Sequence, residues 1–251
     1  MNAFTVIIPA RYGATRLPGK PLLRLAGRPV IEHVWRIALA SGAAQVIIAT
    51  DHEAIAECAG GFGADVCMTA PHHASGTERL AEVVSQRAIT DEAIIVNLQG
   101  DEPLMPARLL EQVAGTLANS REAAMATLAA PLASPESLHD RDVVKLVTGH
   151  EGRALYFSRA PIPWDRQGEG SRPMSAARRH LGIYAYRAGF LKRYASLPAS
   201  PLEALEALEQ LRALQAGVWI QVADAIESPG TGIDTAADLS AAEAALIDRR
   251  R

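Results

Sequence analysis

Along the chain, short apolar runs rich in β-branched residues alternate with longer stretches in which apolar positions recur every three or four residues. The runs at residues 5–9 (TVIIP), 45–50 (QVIIAT), 65–68 (DVCM), 93–99 (AIIVNLQ) and 125–130 (MATLAA) are continuous rather than alternating. That pattern predicts strands covered on both faces. Between them, residues 30–40 place Val30, Val34, Ile37 and Ala38 on one helical face, residues 76–86 open at a Ser-Gly-Thr turn, and residues 107–117 follow Pro106. Each of these stretches predicts a helix. Strand–helix alternation predicts an α/β fold with a doubly wound, mostly parallel sheet.

Beyond Pro131 the alternation loosens. Strand-like runs at residues 143–147, 155–158 and 181–186 lie closer together and predict a mixed-sheet extension. Residues 165–179 (DRQGEGSRPMSAARR) are polar and rich in Gly, Pro and Arg, which predicts a surface connection. Leu202, Leu205, Leu208, Leu211 and Leu214 form an apolar stripe that serves either the core or a dimer face. The 251 residues show no internal repeat and no clear linker. At roughly 100–200 residues per domain, a single domain is expected, with halves at about residues 1–130 and 131–251.

Charge narrows the functional classes. With 25 basic and 28 acidic residues the net charge is -3. No broad positive surface exists to bind nucleic acid or a membrane, so any anion must be held locally. No apolar stretch approaches the ~20 residues of a membrane span. The first ten residues lack the basic and apolar regions of a signal peptide, so a cytoplasmic location is expected. Cys58 and Cys67 are isolated and are expected to be thiols.

The densest chemistry follows the first strand, in Pro9-Ala10-Arg11-Tyr12-Gly13-Ala14-Thr15-Arg16-Leu17-Pro18-Gly19-Lys20-Pro21. Ligands of open α/β sheets bind at the carboxyl ends of strands, where glycine turns, Arg and Lys cradle phosphates. The loop is either a polyphosphate cradle or a solvated basic loop. It is not a Walker A loop, since Gly13 and Gly19 are one residue too far apart and Pro21 replaces the magnesium-binding Ser or Thr. Gly61-Phe62-Gly63 precedes a strand and is a turn. Asp101 stands in Gln99-Gly100-Asp101-Glu102 at the end of the fourth apolar run, where a carboxylate can bind Mg²⁺. Asp234, in Gly230-Thr231-Gly232-Ile233-Asp234, is either a second metal ligand or a turn or helix-capping residue. Arg79, Arg159 and His180 sit at element ends, where structural and functional roles both remain open. No zinc cluster and no G-x-S-x-G elbow is present.

Taken in order, PARYGATRLPGKP, ATDH, SGTERLAEV, NLQGDEP, YFSRAPIPW, RHLGIYAYR, PLEALEALEQLR and PGTGIDT resemble the 3-deoxy-manno-octulosonate (Kdo) cytidylyltransferases over essentially the whole chain. The resemblance implies a fold of the nucleotide-diphospho-sugar transferase type. It implies attack of the anomeric hydroxyl of Kdo on the α-phosphate of CTP, giving CMP-Kdo and pyrophosphate for lipopolysaccharide biosynthesis. It implies Mg²⁺ held by Asp101 and Asp234, phosphate neutralisation by Arg11, Arg16 and Lys20, and a nucleotide site completed by Ala10, Thr50, Asp51, Ser75, Gly76 and Thr77. Kdo would meet Arg79, Gln99, Arg159, His180, Tyr184, Glu209 and Gln210. A homodimer through residues 188–215 is expected on the same ground. Ala14, His72 and Ala236 depart from residues common in the family at those places. A glycosyltransferase would show Asp-x-Asp where this chain has Asp101-Glu102, and a regulatory nucleotide-binding module would not need both carboxylates.

Overall fold

A computed structural model describes residues 3–13, 17–166 and 176–248. In chain order, β1 (Phe4–Ala10) is followed by the two-residue strands β2 (Arg24–Leu25) and β3 (Arg28–Pro29), α1 (Val30–Ala40), β4 (Gln45–Thr50), α2 (Glu53–Gly61) and β5 (Asp65–Met68). Then come α3 (Gly76–Gln86), β6 (Ile94–Asn97), α4 (Ala107–Asn119), β7 (Met125–Pro131), β8 (Lys145–Thr148) and β9 (Ala154–Ser158). The chain ends with β10 (Arg178–Arg187), α5 (Ala188–Tyr194), α6 (Pro201–Glu206), α7 (Gln210–Gln215), β11 (Ile220–Asp224) and α8 (Ala236–Asp248).

The main sheet runs β11-β7-β10-β6-β1-β4-β5, with β8 and β9 paired off β10. Strands β1, β4, β5 and β6 are parallel, as their continuous apolar runs require, and β11 is parallel to β7. Successive residues of β1 feed opposite layers. Val6 and Ile8 join the core beneath α1 and α4, while Ile7 joins Ile47 and Ile95 beneath α3 and α5. Truncating one of these fully buried side chains to Ala costs about 2–5 kcal/mol.

The mixed pairing reaches further into the sheet than the sequence pattern suggests. β8 and β9 form the expected extension, but β10 lies in the interior, antiparallel to both β6 and β7. From His180 to Tyr184, β10 advances four residues while β7 moves only from Ala129 to Thr127. This bulge re-aims the side chains on either side of Gly182. Thr127 pins it, its hydroxyl donating to the Ile183 carbonyl at 2.7 Å and lying 3.0 Å from His180 Nε2.

Two local expectations need correction. The leucine stripe is not one helix: α6 ends at Ala207, which adopts φ 52°, and α7 starts again at Gln210. Leu205 consequently points outward at 83% exposure, while Leu208 and Leu211 are buried. The polar stretch 165–179 ends inside β10, since Arg178 and Arg179 pair with Pro131 and Ala130. Residues 167–175 of that stretch, and Ala14, Thr15 and Arg16 of the first loop, lie outside the described residues.

Candidate active site

Two cavities open along the carboxyl ends of the parallel strands. One, of about 680 Å³, is walled by the first loop and the turns after β5, β6 and the 230–234 segment; it will be called the loop cavity. The other, of about 580 Å³, lies over β10 and the start of α7 and will be called the sheet cavity. Gln99, Gly182 and Glu209 line both, so a molecule in one meets a molecule in the other at these three residues. The halves of the chain interleave here. Arg159 and Asp234 reach the loop cavity, and Thr77 and Asn97 reach the sheet cavity.

The loop cavity is organised by Lys20. Gly19, with φ 67°, turns the chain into a single helical turn over Lys20–Leu22, and Lys20 is buried there. Its ammonium donates to Asp101 Oδ2 at 2.7 Å, to Asp234 Oδ1 at 3.2 Å and to the Ile233 carbonyl at 2.6 Å. The two acidic turns are also joined directly, Ile233 N–H donating to the Asp101 carbonyl at 2.9 Å. Close packing makes glycine necessary at Gly100, where a Cβ would stand 2.8 Å from the Pro9 carbonyl oxygen.

Two carboxylates that converge on one ammonium also suit a single hard cation. Mg²⁺ takes one or two carboxylates and completes its shell with water and phosphate oxygens, so the donor set fits. Among the described residues no cluster of three or more His, Cys, Asp and Glu side chains forms a dedicated metal cage. Glu102, beside this pair, is pushed up to about 7 by burial first and then by the charges of Asp101 and Asp234, with Lys20 and Arg179 opposing.

The sheet cavity mixes charged and neutral groups, with Glu102, Asp142, Arg179 and Glu209 lining it beside His180, Tyr184 and Gln210. Desolvation pushes half-buried His180 down to about 3, so its imidazole carries no charge at neutral pH. Burial raises the phenols of Tyr184 and Tyr186 above the ordinary range. Tyr184 Oη and Gln210 Nε2 are buried polar atoms with no hydrogen-bond partner among the described residues. Such atoms are costly in a folded interior, and both residues line the cavity. Glu209 stands at the seam, accepting from Thr77 Oγ1 at 2.7 Å through Oε2, while its carbonyl lies 3.3 Å from Tyr194 Oη.

The remaining expected site residues divide. Ala10, Arg11, Ser75, Gly76 and Asp101 line the loop cavity with Lys20, whereas Thr77 lines the sheet cavity and Thr50 and Asp51 line neither. Ser75 caps α3, its Oγ accepting from Glu78 N–H at 3.2 Å while Glu78 Oε2 accepts from Ala74 N–H at 2.9 Å. Arg79 is buried and paired with Asp51 at 2.8 Å. Arg159 donates from Nε to the Glu206 carbonyl at 2.7 Å and from Nη1 to the Arg141 carbonyl at 3.1 Å. Both arginines line the loop cavity, apart from His180, Tyr184 and Gln210.

Residues 5–222 match the family model described as cytidylyltransferase. The 3-deoxy-manno-octulosonate cytidylyltransferase of Halorhodospira halophila is 54% identical, covering 99% of this chain and 98% of its own. The chain belongs to the 3-deoxy-manno-octulosonate cytidylyltransferase family. The enzyme of the same description from Idiomarina loihiensis is also 54% identical over 96% of this chain and 97% of its own. A solved structure of a CMP:2-keto-3-deoxy-manno-octonic acid synthetase complexed with CTP superposes with a TM-score of 0.91 at 39% identity, covering 99% of this chain and 100% of that one. A nucleotidyl transferase from Methanothermobacter shares the fold, with a TM-score of 0.65 at 17% identity, covering 99% of this chain and 100% of that one.

In this member of the cytidylyltransferase family, the sequence reading passed over several residues that the fold brings to the cavities. Glu102 was adjacent to a proposed ligand, and its burial between two acidic turns is the property that sequence did not display. Asn97, Tyr186, Tyr194 and Arg179 line the sheet cavity. Tyr186 could have been found from the alternation Tyr184, Tyr186 along one strand face, as period-2 spacing puts both on the side of His180.

Proposed function

We propose that this chain transfers the cytidylyl group of CTP to the anomeric hydroxyl of Kdo, releasing pyrophosphate and supplying CMP-Kdo for lipopolysaccharide biosynthesis. The observation that carries the reading is the pair of cavities that meet at Gln99, Gly182 and Glu209, one built around Lys20, Asp101 and Asp234 and the other around His180, Tyr184 and Gln210. Family membership and the likeness to a synthetase complexed with CTP support the choice of substrates.

In this reading the triphosphate lies in the loop cavity against Arg11 and Lys20, with the nucleoside toward Ala10, Ser75 and Gly76. Kdo lies in the sheet cavity. The hydroxyl oxygen forms a bond to the α-phosphorus as the bond from that phosphorus to the bridging oxygen breaks, the hydroxyl proton is lost, and pyrophosphate departs. No covalent intermediate on the enzyme is required. Lys20 holds Asp101 and Asp234 within reach of one cation, and Mg²⁺ there would neutralise phosphate charge and acidify the attacking hydroxyl. Neutral His180, Tyr184 and Gln210 would hydrogen-bond the sugar hydroxyls, while Gln99 and Glu209 would close the acceptor site at the seam and Arg79 and Arg159 would face it from the loop cavity.

The proposal includes a homodimer through residues 188–215, where Leu205 is 83% exposed. Light scattering should give twice the monomer mass, and a monomer at working concentration refutes this part. Cytoplasmic action, where thiols such as Cys58 and Cys67 stay reduced, is also proposed. Among the described residues no helix is long and apolar enough to cross a membrane.

Pyrophosphate release tests the reading. It should require CTP, Kdo and Mg²⁺ together, with ATP and N-acetylneuraminate as poor replacements. Release with another sugar acid moves the acceptor, and silence in a folded, CTP-binding sample rejects the transferase reading.

A further inference from the structure

Lys145, the first residue of β8, is fully buried, and its ammonium bonds to main-chain carbonyls: Asp140 at 2.7 Å, Val143 at 2.7 Å and Arg159 at 2.5 Å. An ammonium has three donors, and these three carbonyls take all of them. Burying a cation is unfavourable unless its hydrogen bonds replace those to water. A lysine placed in this way therefore ties together the segments whose carbonyls it holds. One is the turn at 140–143, from which Asp142 and Val143 line the sheet cavity. The other is the end of β9, from which Arg159 lines the loop cavity.

Glu206 grips the same strand end from the other side. Its Oε1 accepts from Ser158 Oγ at 2.6 Å, its Oε2 from Arg159 N–H at 2.9 Å, and its carbonyl from Arg159 Nε at 2.7 Å. It is the last residue of α6, directly before left-handed Ala207 and the Leu208, Glu209 and Gln210 that line the sheet cavity. Arg159 Nη1 donates to the Arg141 carbonyl at 3.1 Å and closes the ring back to the 140–143 turn. Three wall segments remote in sequence are thus cross-linked by one buried cation and one carboxylate. Neither Lys145 nor Glu206 lines a cavity itself.

We propose that Lys145 and Glu206 form a clamp of positioning residues that sets the shape of the sugar-acid site from behind its walls, by fixing the 140–143, 158–159 and 206–210 segments relative to one another. The inference rests on the assignment of the sheet cavity to Kdo.

Steady-state kinetics of Lys145→Met and Glu206→Gln, with CTP and Kdo varied separately, test it. The KM for Kdo should rise about tenfold or more in each variant, the scale expected when hydrogen bonds to a charged group are removed, with a smaller rise in the KM for CTP, whose cavity meets the clamped segments only at Arg159 and Glu209. The double variant should be no worse than the worse single one, because both residues hold one strand end. A Kdo KM unchanged in both folded variants overturns the clamp, as does an equal rise in both KM values, which would mark general loosening. If Lys145→Met does not fold, Glu206→Gln alone decides, since it keeps the side-chain size and one acceptor oxygen. Wild-type enzyme inactive with CTP and Kdo rejects the parent assignment and the clamp with it, whereas active wild type with an unaltered Kdo KM in the variants rejects the clamp alone.

Discussion

The loop cavity and the sheet cavity are built by different means. The loop cavity draws its polarity from glycine turns and formal charges, buried at Lys20 and Arg79 but open to water at Asp101 and Asp234, whose side chains are 36% and 54% exposed. The sheet cavity sets an uncharged His180, two phenols and an orphaned amide beside the charged side chains of Glu102, Asp142, Arg179 and Glu209. Exposed charges can bind and neutralise an anion whose charge shifts during reaction. Buried neutral groups discriminate hydroxyl patterns, since a ligand lacking the matching group leaves them unpaired. The proposed division of labour follows: the first region acts on turnover, the second on acceptor recognition.

The largest effect that would break this division lies at Asp101. Asp101→Asn should lower kcat by about a thousandfold with an unchanged circular dichroism spectrum, because one of two converging carboxylates loses its charge. Near-normal activity in the folded variant would remove Asp101 from the metal assignment. Lys20→Met comes next, with kcat down about a hundredfold and the KM for Kdo within about twofold. A change confined to the Kdo KM would place Lys20 on the wrong side of the seam.

The sheet cavity should answer in the opposite way. Tyr184→Phe and Gln210→Leu each remove an orphaned polar atom, so thermal stability should hold or improve while the KM for Kdo rises about tenfold and that for CTP stays put. Loss of stability in both would show that the two atoms already have partners and do not await a ligand.

A separate effect is expected on stability against pH. The folded state holds His180 neutral down to about 3, well below the ordinary value of 6.5, so the unfolded chain binds the extra proton. Stability from this group is present above about pH 6.5 and is lost as pH falls toward 3. At pH 5, 1.5 units below the unfolded value, the loss is about 2 kcal/mol. Urea unfolding of wild type and His180→Asn at pH 7 and pH 5 should show that much less acid destabilisation in the variant; equal slopes would mean that His180 titrates normally.

The same contrast explains what could be read from the chain alone. The loop cavity was legible because its parts are local: β1, β6 and their following turns carry Lys20 and Asp101 in short contiguous motifs, and continuous apolar runs announce parallel strands. The sheet cavity was legible only through resemblance. The His180–Tyr184 bulge depends on pairing with β7, more than fifty residues earlier, and Thr127 gives no local sign of supporting it. The break at Ala207 was hidden because a leucine every third residue fits one helix as well as two short ones. Nothing in the neighbours of Lys145 announces three carbonyls drawn from 140, 143 and 159.

Direct transfer across the seam at Gln99, Gly182 and Glu209 is tested most directly by an initial-rate matrix in which CTP and Kdo are varied together. Adjacent cavities filled at once predict intersecting double-reciprocal lines and no pyrophosphate from CTP alone. Parallel lines, with pyrophosphate released before Kdo is added, would mean that the cytidylyl group is first parked on the protein and would contradict the two-cavity arrangement.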